Sequence, residues 1–249
     1  MFKAELEDVS LLKDSMKTIS DLISEGIFQL NEDGVKLVAA DPAMVALVDF
    51  KIEKDVFESY DLDEETNVGL NLENLYSILR RANSDDKIIL ETRGDSKFYI
   101  TMESSSVREF SLPILNLSED DMPSTDDLEY AVTAELETSV LESAVKDALV
   151  VGDSVVIESD NAGLRVKAEG DQSNVEFEID GDAEGVLEFS GGNARSMFSL
   201  DYLNDMTGAK KLSDTVKLSI GDDFPMRLEF EVPDEALLSF VLAPRIEEE

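Results

Sequence analysis

The chain contains one pattern twice, as LLKDSMKTISDLISEGIFQLNEDGVKLVA at residues 11–39 and as VLESAVKDALVVGDSVVIESDNAGLRVKA at residues 140–168. The two stretches align without a gap, and a shorter correspondence follows in the same order between residues 70–75 and 198–203. The offset of about 129 residues is far longer than the period of a solenoid or a propeller. The alignment therefore predicts two copies of one domain.

Each copy has the same order of predicted elements. A short strand at 2–6 leads into an amphipathic helix, in which apolar residues recur at helical spacing from Leu12 to Ile23. Strands with alternating apolar residues follow, and then a second helix, predicted at 71–83 in the first copy and at about 201–209 in the second. The sequence thus predicts an α+β protein whose two similar domains each consist of two β-α-β-β-β units with antiparallel sheets.

The domain boundaries follow from the repeat and from one change in composition. Residues 116–130 are polar, acidic and without periodicity, which is typical of an exposed linker. We therefore expect an N-terminal domain at 1–115, an interdomain connecting loop at 116–130 and a C-terminal domain at 131–249.

The composition excludes several classes of function. The chain has no histidine and no cysteine, so disulfides, thiol chemistry, zinc knuckles and imidazole catalysis are ruled out. We expect no catalytic residue, no metal site and no cofactor. No apolar run approaches the roughly 18–20 residues that span a bilayer, and the N-terminus lacks the apolar segment of a signal peptide. These features predict a cytoplasmic protein.

The net charge of −36, from 57 acidic and 21 basic residues, is extreme. Such a surface keeps a protein soluble by self-repulsion, and it is typical of proteins that work in high salt, where screening relieves the repulsion. We therefore expect a halophilic source. Taken alone, the charge also predicts poor affinity for nucleic acid.

The predicted helices do not share this acidic excess. Windows at 11–25, 71–83, 139–151 and 200–211 carry seven basic and eight acidic residues, where an even spread of the charge would give a net of about −8. One explanation is that helices tolerate Lys and Arg better than turns do. The other is that the outward helix faces form one surface that must not repel a polyanion. The candidate residues of this polyanion-facing surface are Lys13, Lys17, Arg80, Arg81, Lys146, Lys210 and Lys211.

Several short motifs carry a resemblance to a known family. They are AADP at 39–42 followed by VALV at 45–48, SLDYL at 199–203, FPM at 224–226 and the C-terminal LAPRIEEE at 242–249. With these motifs in order and its halves duplicated, the chain resembles the archaeal and eukaryotic sliding clamps of the proliferating cell nuclear antigen type over essentially its whole length. The resemblance implies an archaeal protein with the DNA-clamp fold.

That resemblance also implies a function. Clamps of this type form a homotrimeric ring of six similar domains, with helices lining the hole and antiparallel sheets outside. The ring is not an enzyme; it is a processivity factor that encircles duplex DNA independently of sequence and tethers replication and DNA repair proteins. The implied partners are DNA polymerase, clamp loader, flap endonuclease and ligase, which bind through clamp-interacting peptides, and the implied location is the cytoplasmic nucleoid.

Two sites carry over from the family to matching positions. Val241 stands where the family often has a tyrosine, which implies a shallower rim of the peptide pocket. The implied front-face pocket comprises Ala40, Met44, Val45, Leu47, Met122, Pro225, Val241, Ala243, Pro244, Arg245 and Ile246. The implied subunit interface, formed by edge-to-edge strand pairing, comprises Arg108, Phe110, Leu112, Val175, Phe177 and Ile179.

Two other interpretations stay open at this stage. Paired carboxylates act in glycosidases, but acidic residues are so abundant here that no pair is informative, and the chain has no tryptophan for a sugar-stacking cleft. The stronger alternative is an acidic protein-binding scaffold or a clamp-like subunit of a heterotrimeric ring. The sequence does not say whether the edge strands pair with copies of themselves or with a paralogue.

Overall fold

The structure is a computed structural model that describes residues 1–118 and 128–246. The chain divides into two compact units. The first unit comprises Met1–Met44, Val48–Met122 and Val232–Leu238, and the second comprises Val45–Leu47, Pro123–Glu231 and Ser239–Glu249. Each unit therefore includes a short segment from the other half of the sequence. The domain boundaries expected from the sequence, at 1–115, 116–130 and 131–249, stay a prediction.

The first half of the chain has the predicted order of elements with one added strand. Strands β1–β4 with helix α1, and strands β6–β9 with helix α2, are the two β-α-β-β-β units, and β5 is the addition. The elements are β1 (Phe2–Leu6), α1 (Ser10–Leu22), β2 (Glu25–Asn31), β3 (Gly34–Ala40), β4 (Ala46–Glu53), β5 (Ser59–Leu62), β6 (Thr66–Asn71), α2 (Leu72–Leu79), β7 (Lys87–Thr92), β8 (Lys97–Glu103) and β9 (Val107–Pro113).

The second half repeats this order, and its added strand is β14. A 3₁₀ turn at Gly208–Lys211 continues from its last helix. The elements are β10 (Val132–Glu137), α3 (Thr138–Leu149), β11 (Ser154–Asp160), β12 (Gly163–Glu169), β13 (Asn174–Asp180), β14 (Val186–Gly191), β15 (Ala194–Ser199), α4 (Leu200–Thr207), β16 (Thr215–Ile220), β17 (Met226–Val232) and β18 (Ala236–Leu242). The duplication predicted from the sequence is thus confirmed at the level of every helix and strand, including both additions.

The sheets of the two halves have the same strand order. In the first half β5-β1-β7-β8-β9 are neighbours, as are β4-β3-β2-β6; in the second half the corresponding runs are β14-β10-β16-β17-β18 and β13-β12-β11-β15. The pairs that β1, β2, β8, β10, β11 and β12 form with their neighbours are antiparallel. The α+β prediction with antiparallel sheets is therefore confirmed.

The helices pack in pairs, α1 against α2 and α3 against α4. The predicted apolar stripe of α1 is buried, with Met16 and Ile19 at 0% exposure. Fully burying a side chain of this size stabilises a fold by about 1.5–3 kcal/mol. None of the helices in 1–118 and 128–246 is long and apolar enough to cross a membrane.

One helix boundary differs from its prediction. The second helix was expected to reach residue 83, but α2 ends at Leu79. The N–H groups of Arg81 and Ala82 donate to the carbonyls of Ile78 and Leu79, three residues back, so the chain tightens into a 3₁₀-type turn. The cations at 80 and 81 therefore follow the helix instead of lying within it.

Candidate functional site

The seven cations proposed to face DNA lie on or directly after the four helices. Lys13 and Lys17 are on α1 and Lys146 is on α3, while Lys210 and Lys211 end the 3₁₀ turn after α4. All of them are exposed or half-buried. Because α1 packs on α2 and α3 on α4, each unit carries its own cations on one helix pair and the turns that follow it. We call these two sets the helix clusters.

In the first unit, one cation of the four makes an ion pair. Lys17 pairs with Asp21 one turn later, and its Nζ lies 5.8 Å from the centroid of the Tyr76 ring. Among the described residues, Lys13, Arg80 and Arg81 have no ion pair. Three of the four side chains are therefore free to meet an external anion.

The second unit differs, because a single carboxylate holds two of its three cations. Glu142 Oε1 lies 2.8 Å from Lys146 Nζ, one turn along α3, and also contacts Lys210 Nζ. The Glu142 side chain is 18% exposed, and hydrogen bonds from the two lysines lower its pKa. Lys211 is the free cation of this cluster in the part of the chain that the structure describes.

The distribution of unpaired cations supports the charge count made from the sequence. Across residues 1–118 and 128–246, six of the basic side chains make no ion pair: Lys13, Lys54, Lys97, Arg80, Arg81 and Lys211. Four of these six belong to the helix clusters. On the strands, by contrast, most lysines and arginines pair with a neighbouring carboxylate, as Lys36 does with Asp49 at 3.1 Å. In the described chain, unpaired positive charge is therefore concentrated on the helix pairs and on the turns that directly follow them.

The strands β9 and β13, which carry the six proposed interface residues, share one geometry. Each has seven residues, and in the described chain β9 pairs with β8 alone and β13 with β12 alone. The exposure alternates identically along both, and in each strand the third inward side chain, Leu112 or Ile179, is buried. The other four proposed residues are half-buried: Arg108, Phe110, Val175 and Phe177.

Arg108 also has a partner within its own unit. Its guanidinium contacts the carboxylate of Asp86 and donates to the carbonyl of Arg81 at 3.1 Å. Asp86 is 1% exposed and accepts from the backbone N–H of Asn83 at 2.7 Å. The Asn83 amide, the Ser104 hydroxyl and the Arg108 guanidinium lower the pKa of Asp86 to about 2. This contact ties the start of β9 to the turn after α2.

Part of the proposed peptide pocket comes together in the second unit. The carbonyl of Val45 accepts from Ala243 N–H at 2.8 Å, so these two residues are neighbours. The N–H of Arg245 donates to the carbonyl of Met197 on β15 at 2.7 Å, and its side chain lies 3.4 Å from Asp153. The C-terminal tail is therefore attached to this unit at two points.

The turn before Pro225 is attached to the same strand. Ser196 Oγ, on β15, accepts from Phe224 N–H at 3.0 Å and donates to the Gly221 carbonyl. Phe224 packs edge-to-face on Tyr130, with ring centroids 5.7 Å apart. Because Ser196 and Met197 are consecutive, β15 brings Pro225 and the tail residue Arg245 to one region of the unit.

The remaining pocket residues are placed as follows. Val241 is buried, whereas Leu47, Pro244 and Pro225 are half-buried and Ile246 is 92% exposed. In the first unit, Ala40 ends β3, and Met44 closes a turn through its N–H to the Asp41 carbonyl. Met44 has a positive φ of 56° and is 49% exposed. Met122 lies outside the described residues.

Sequence reasoning missed four residues of these surfaces. Phe224 precedes Pro225 in the FPM motif, so the motif itself could have pointed to it. Tyr130, Asp86 and Glu142 carry no such signal, because their roles depend on partners 94, 22 and 68 residues away in sequence, namely Phe224, Arg108 and Lys210. Within 1–118 and 128–246, no three His, Cys, Asp or Glu side chains are arranged to hold a metal ion.

Comparison with known proteins gives one consistent result. The N-terminal domain of the proliferating cell nuclear antigen family matches residues 1–121, and its C-terminal domain matches residues 124–245. A "DNA polymerase sliding clamp" from Thermococcus gammatolerans is 32% identical over 99% of both chains. Another, from Methanococcus maripaludis, is 35% identical over 94% of this chain and 95% of that one.

Solved structures agree. The crystal structure of PCNA from Thermococcus kodakaraensis superposes with a TM-score of 0.89 at 28% identity, covering 98% of this chain and 100% of that one. A PCNA2-PCNA3 complex from Sulfolobus tokodaii gives the same TM-score at 27% identity, with the same coverage. Both family domains, the full-length relatives and the shared fold lead to one assignment: this chain belongs to the proliferating cell nuclear antigen family.

Proposed function

We propose that this chain is a DNA polymerase sliding clamp, a processivity factor without enzymatic activity that encircles duplex DNA and tethers other proteins to it. The observation that carries the proposal is the similarity to proteins of that name along 99% of both chains. Its relatives are archaeal, and its place of action is the nucleoid in the cytoplasm. The charge of −36 supports a source that lives in high salt.

The ring closes through β9 of one subunit and β13 of the next. The two edge strands have equal length and the same alternation of buried and exposed side chains, so they suit each other as partners. Pairing would satisfy the unpaired N–H and C=O groups of both edges, which otherwise invite aggregation. It would also bury the half-buried Phe110 and Phe177. A head-to-tail contact of this kind forms a closed ring when its rotation allows, and three copies are proposed here.

The four helices line the hole of this ring. Their clusters hold four of the unpaired cations in the described chain, and the helices lack the acidic excess of the remaining sequence. A wall of this kind lets the phosphates pass without repulsion, and contacts to phosphate carry no sequence information. The seven cations that we assign to the wall are Lys13, Lys17, Arg80, Arg81, Lys146, Lys210 and Lys211.

The peptide pocket is the site for polymerase, clamp loader, flap endonuclease and ligase. Support comes from Val45 beside Ala243 and from the attachment of the tail and of the Pro225 turn to β15. To the expected residues we add Phe224, which precedes Pro225 in the sequence, and Tyr130, whose ring packs on that of Phe224. Apolar pockets of this kind supply most of the energy that holds a peptide anchor.

Calorimetry with a synthetic clamp-interacting peptide that carries paired aromatics tests the pocket. Val45→Glu and Pro244→Asp should each weaken binding at least about tenfold, the loss of one anchor contact. Leu187→Asp, which changes an exposed leucine of β14, is the matched control and should bind like the parent. Unchanged affinity in both pocket variants would place the peptide elsewhere.

Assembly is tested by measuring the mass of the pure protein across a salt series. A homotrimer should form and should weaken at low ionic strength, since subunits of charge −36 repel one another. The second candidate is a subunit of a heteromeric ring, favoured by the similarity to a protein solved as a PCNA2-PCNA3 complex. A monomer at every salt concentration, at micromolar protein, would reject the homotrimer and favour this alternative.

A further inference from the structure

The two helix pairs differ at one aligned position. The gapless alignment of 11–39 with 140–168 places Lys13 over Glu142 and Lys17 over Lys146. The same turn of helix therefore carries two lysines in the first half, and a glutamate followed by a lysine in the second. Counting α1 with residues 71–83 gives four basic and three acidic side chains, whereas α3 with 200–211 gives three basic and four acidic ones.

The ion pairs enlarge this difference. Lys13, Arg80 and Arg81 have no ion pair in the described chain, so they can approach a phosphate without leaving a partner. Lys146 and Lys210 share the carboxylate of Glu142, which is only 18% exposed beneath them. A phosphate that engages either lysine comes close to this carboxylate. The carboxylate already neutralises part of the positive charge there, and it repels the phosphate.

We propose that the two helix pairs contact the duplex unequally. The first pair, α1 with α2, binds phosphates through cations that have no ion pair in the described chain. In the second pair, α3 with α4, Glu142 holds Lys146 and Lys210 and so weakens their contact with phosphates. The proposal rests on the proposed function, because it requires the helices to face DNA. Glu142 is then a positioning residue that weakens the grip of the second pair and lets the ring slide with less friction. The first pair determines how strongly sliding depends on salt.

The test measures sliding on DNA by the assembled ring. Clamps are loaded onto circular DNA, the circle is cut once, and the rate at which clamps run off the ends is followed over a range of salt concentrations. Lys13→Gln with Arg80→Gln removes two free cations per chain. The matched variant, Lys146→Gln with Lys210→Gln, removes two cations held by Glu142. Both lower the charge of each chain by two, so a difference between them reports local contacts and not the overall field.

We expect clamps of the first variant to run off about threefold faster than the parent at low salt. The run-off rate of the second variant should rise by less than about half that factor. Glu142→Gln, which frees both lysines, should slow the run-off. Its control, Asp147→Asn, makes the same change of charge on the same helix without freeing a lysine, and should slow it less. Each variant must keep the mass of the parent ring.

The outcomes separate the inference from the proposed function. Equal acceleration by the two neutralised pairs would overturn the unequal contact while leaving the helices as the DNA-facing wall. Equal slowing by Glu142→Gln and Asp147→Asn would remove the role of Glu142. If neither neutralised pair changes the run-off rate at any salt concentration, the assignment of the helices to the wall fails, and the inference fails with it.

Discussion

The edge strands and the helices of this protein are two kinds of uncovered surface, and they differ in how they can meet a partner. In residues 1–118 and 128–246, β9 and β13 each pair with one strand only, so they present unpaired backbone groups beside a stripe of half-buried apolar side chains. The helices present cations, of which several have no ion pair in the described chain. Hydrogen bonds and apolar contacts act only at short range, whereas charges act over roughly 8–10 Å at 0.1–0.15 M salt. A strand edge therefore binds one partner strand in one register. A charged face can stay in contact with a partner that moves along it.

The largest expected effect comes from placing a charge on the apolar side of an edge. Phe110→Asp should weaken assembly by about 100-fold or more, because the junction loses part of the roughly 1.5–3 kcal/mol that full burial of a phenylalanine contributes and gains a buried charge. Sedimentation at several protein concentrations measures the change. Phe110 is only half-buried within its own unit, so the subunit itself should stay folded.

Ser111→Asp is the control for this prediction. It adds the same charge to the same strand, but Ser111 lies on the exposed side of the alternation. The assembly formed by Ser111→Asp should have the same mass as that of the parent. If both variants dissociate alike, the added charge alone weakens assembly, and the apolar side of the strand has no special role.

A smaller, graded effect is expected from the helices. Changing Lys17, Arg80 and Lys146 together to Glu alters the charge of each chain by −6. The processivity of a polymerase on primed circular DNA should then fall roughly tenfold at low salt. Each exposed contact contributes under about 1 kcal/mol, so only their sum is visible. The loss should shrink as salt rises, because screening weakens both attraction and repulsion.

Three lysines of the strands serve as the matched set for the helix variant. Lys36, Lys51 and Lys217 pair with carboxylates on their own sheets, and changing them to Glu gives the same −6. These three changes should lower processivity much less than the helix variant does. Comparable losses from the two sets would mean that net charge, and not the helix face, governs passage of DNA.

The smallest expected effect concerns Asp86, which connects an edge strand to the end of a helix. Its pKa in the folded protein is about 2, below its ordinary value. A lowered folded pKa contributes stability that is complete above about pH 4 and is lost as the pH falls toward 2. Thermal unfolding from pH 6 to pH 2 should therefore show a weaker pH dependence in Asp86→Asn than in the parent. The exposed neighbour changed as Asp85→Asn should behave like the parent, and an unchanged slope in Asp86→Asn would remove this carboxylate from the acid response.

Much of the fold could be predicted from the sequence, because each helix and strand of the first half has a counterpart at the aligned position of the second half. The stripe from Leu12 to Ile19 predicted α1, and strand alternation predicted the sheets. The end of α2 could not be read, because three residues of good helix propensity follow Leu79. The N–H groups of Arg81 and Ala82 donate to carbonyls three residues back, and the Asn83–Asp86 contact then competes with further helix.

The site was predicted unevenly for the same reason. The charge count singled out the cations, and the resemblance to a known family implied the edge strands and the tail, since each of these belongs to a short segment of the chain. The pairing state of each cation could not be predicted. Lys17 and Lys146 occupy aligned positions, yet Lys17 lies beside Tyr76 and pairs with Asp21, whereas Lys146 shares Glu142 with Lys210.

The sequence by itself determined the duplicated α+β architecture, the absence of cysteine and histidine chemistry, and the sparing of the helices from the acidic excess, because composition and periodicity are local properties of the chain. Only the tertiary structure decided which cations are free. Whether a lysine has a carboxylate within reach depends on contacts between segments such as α3 and the turn after α4, which lie 68 residues apart at Glu142 and Lys210. The strength of a charge contact depends on distance in space, and the order of residues alone does not contain that distance.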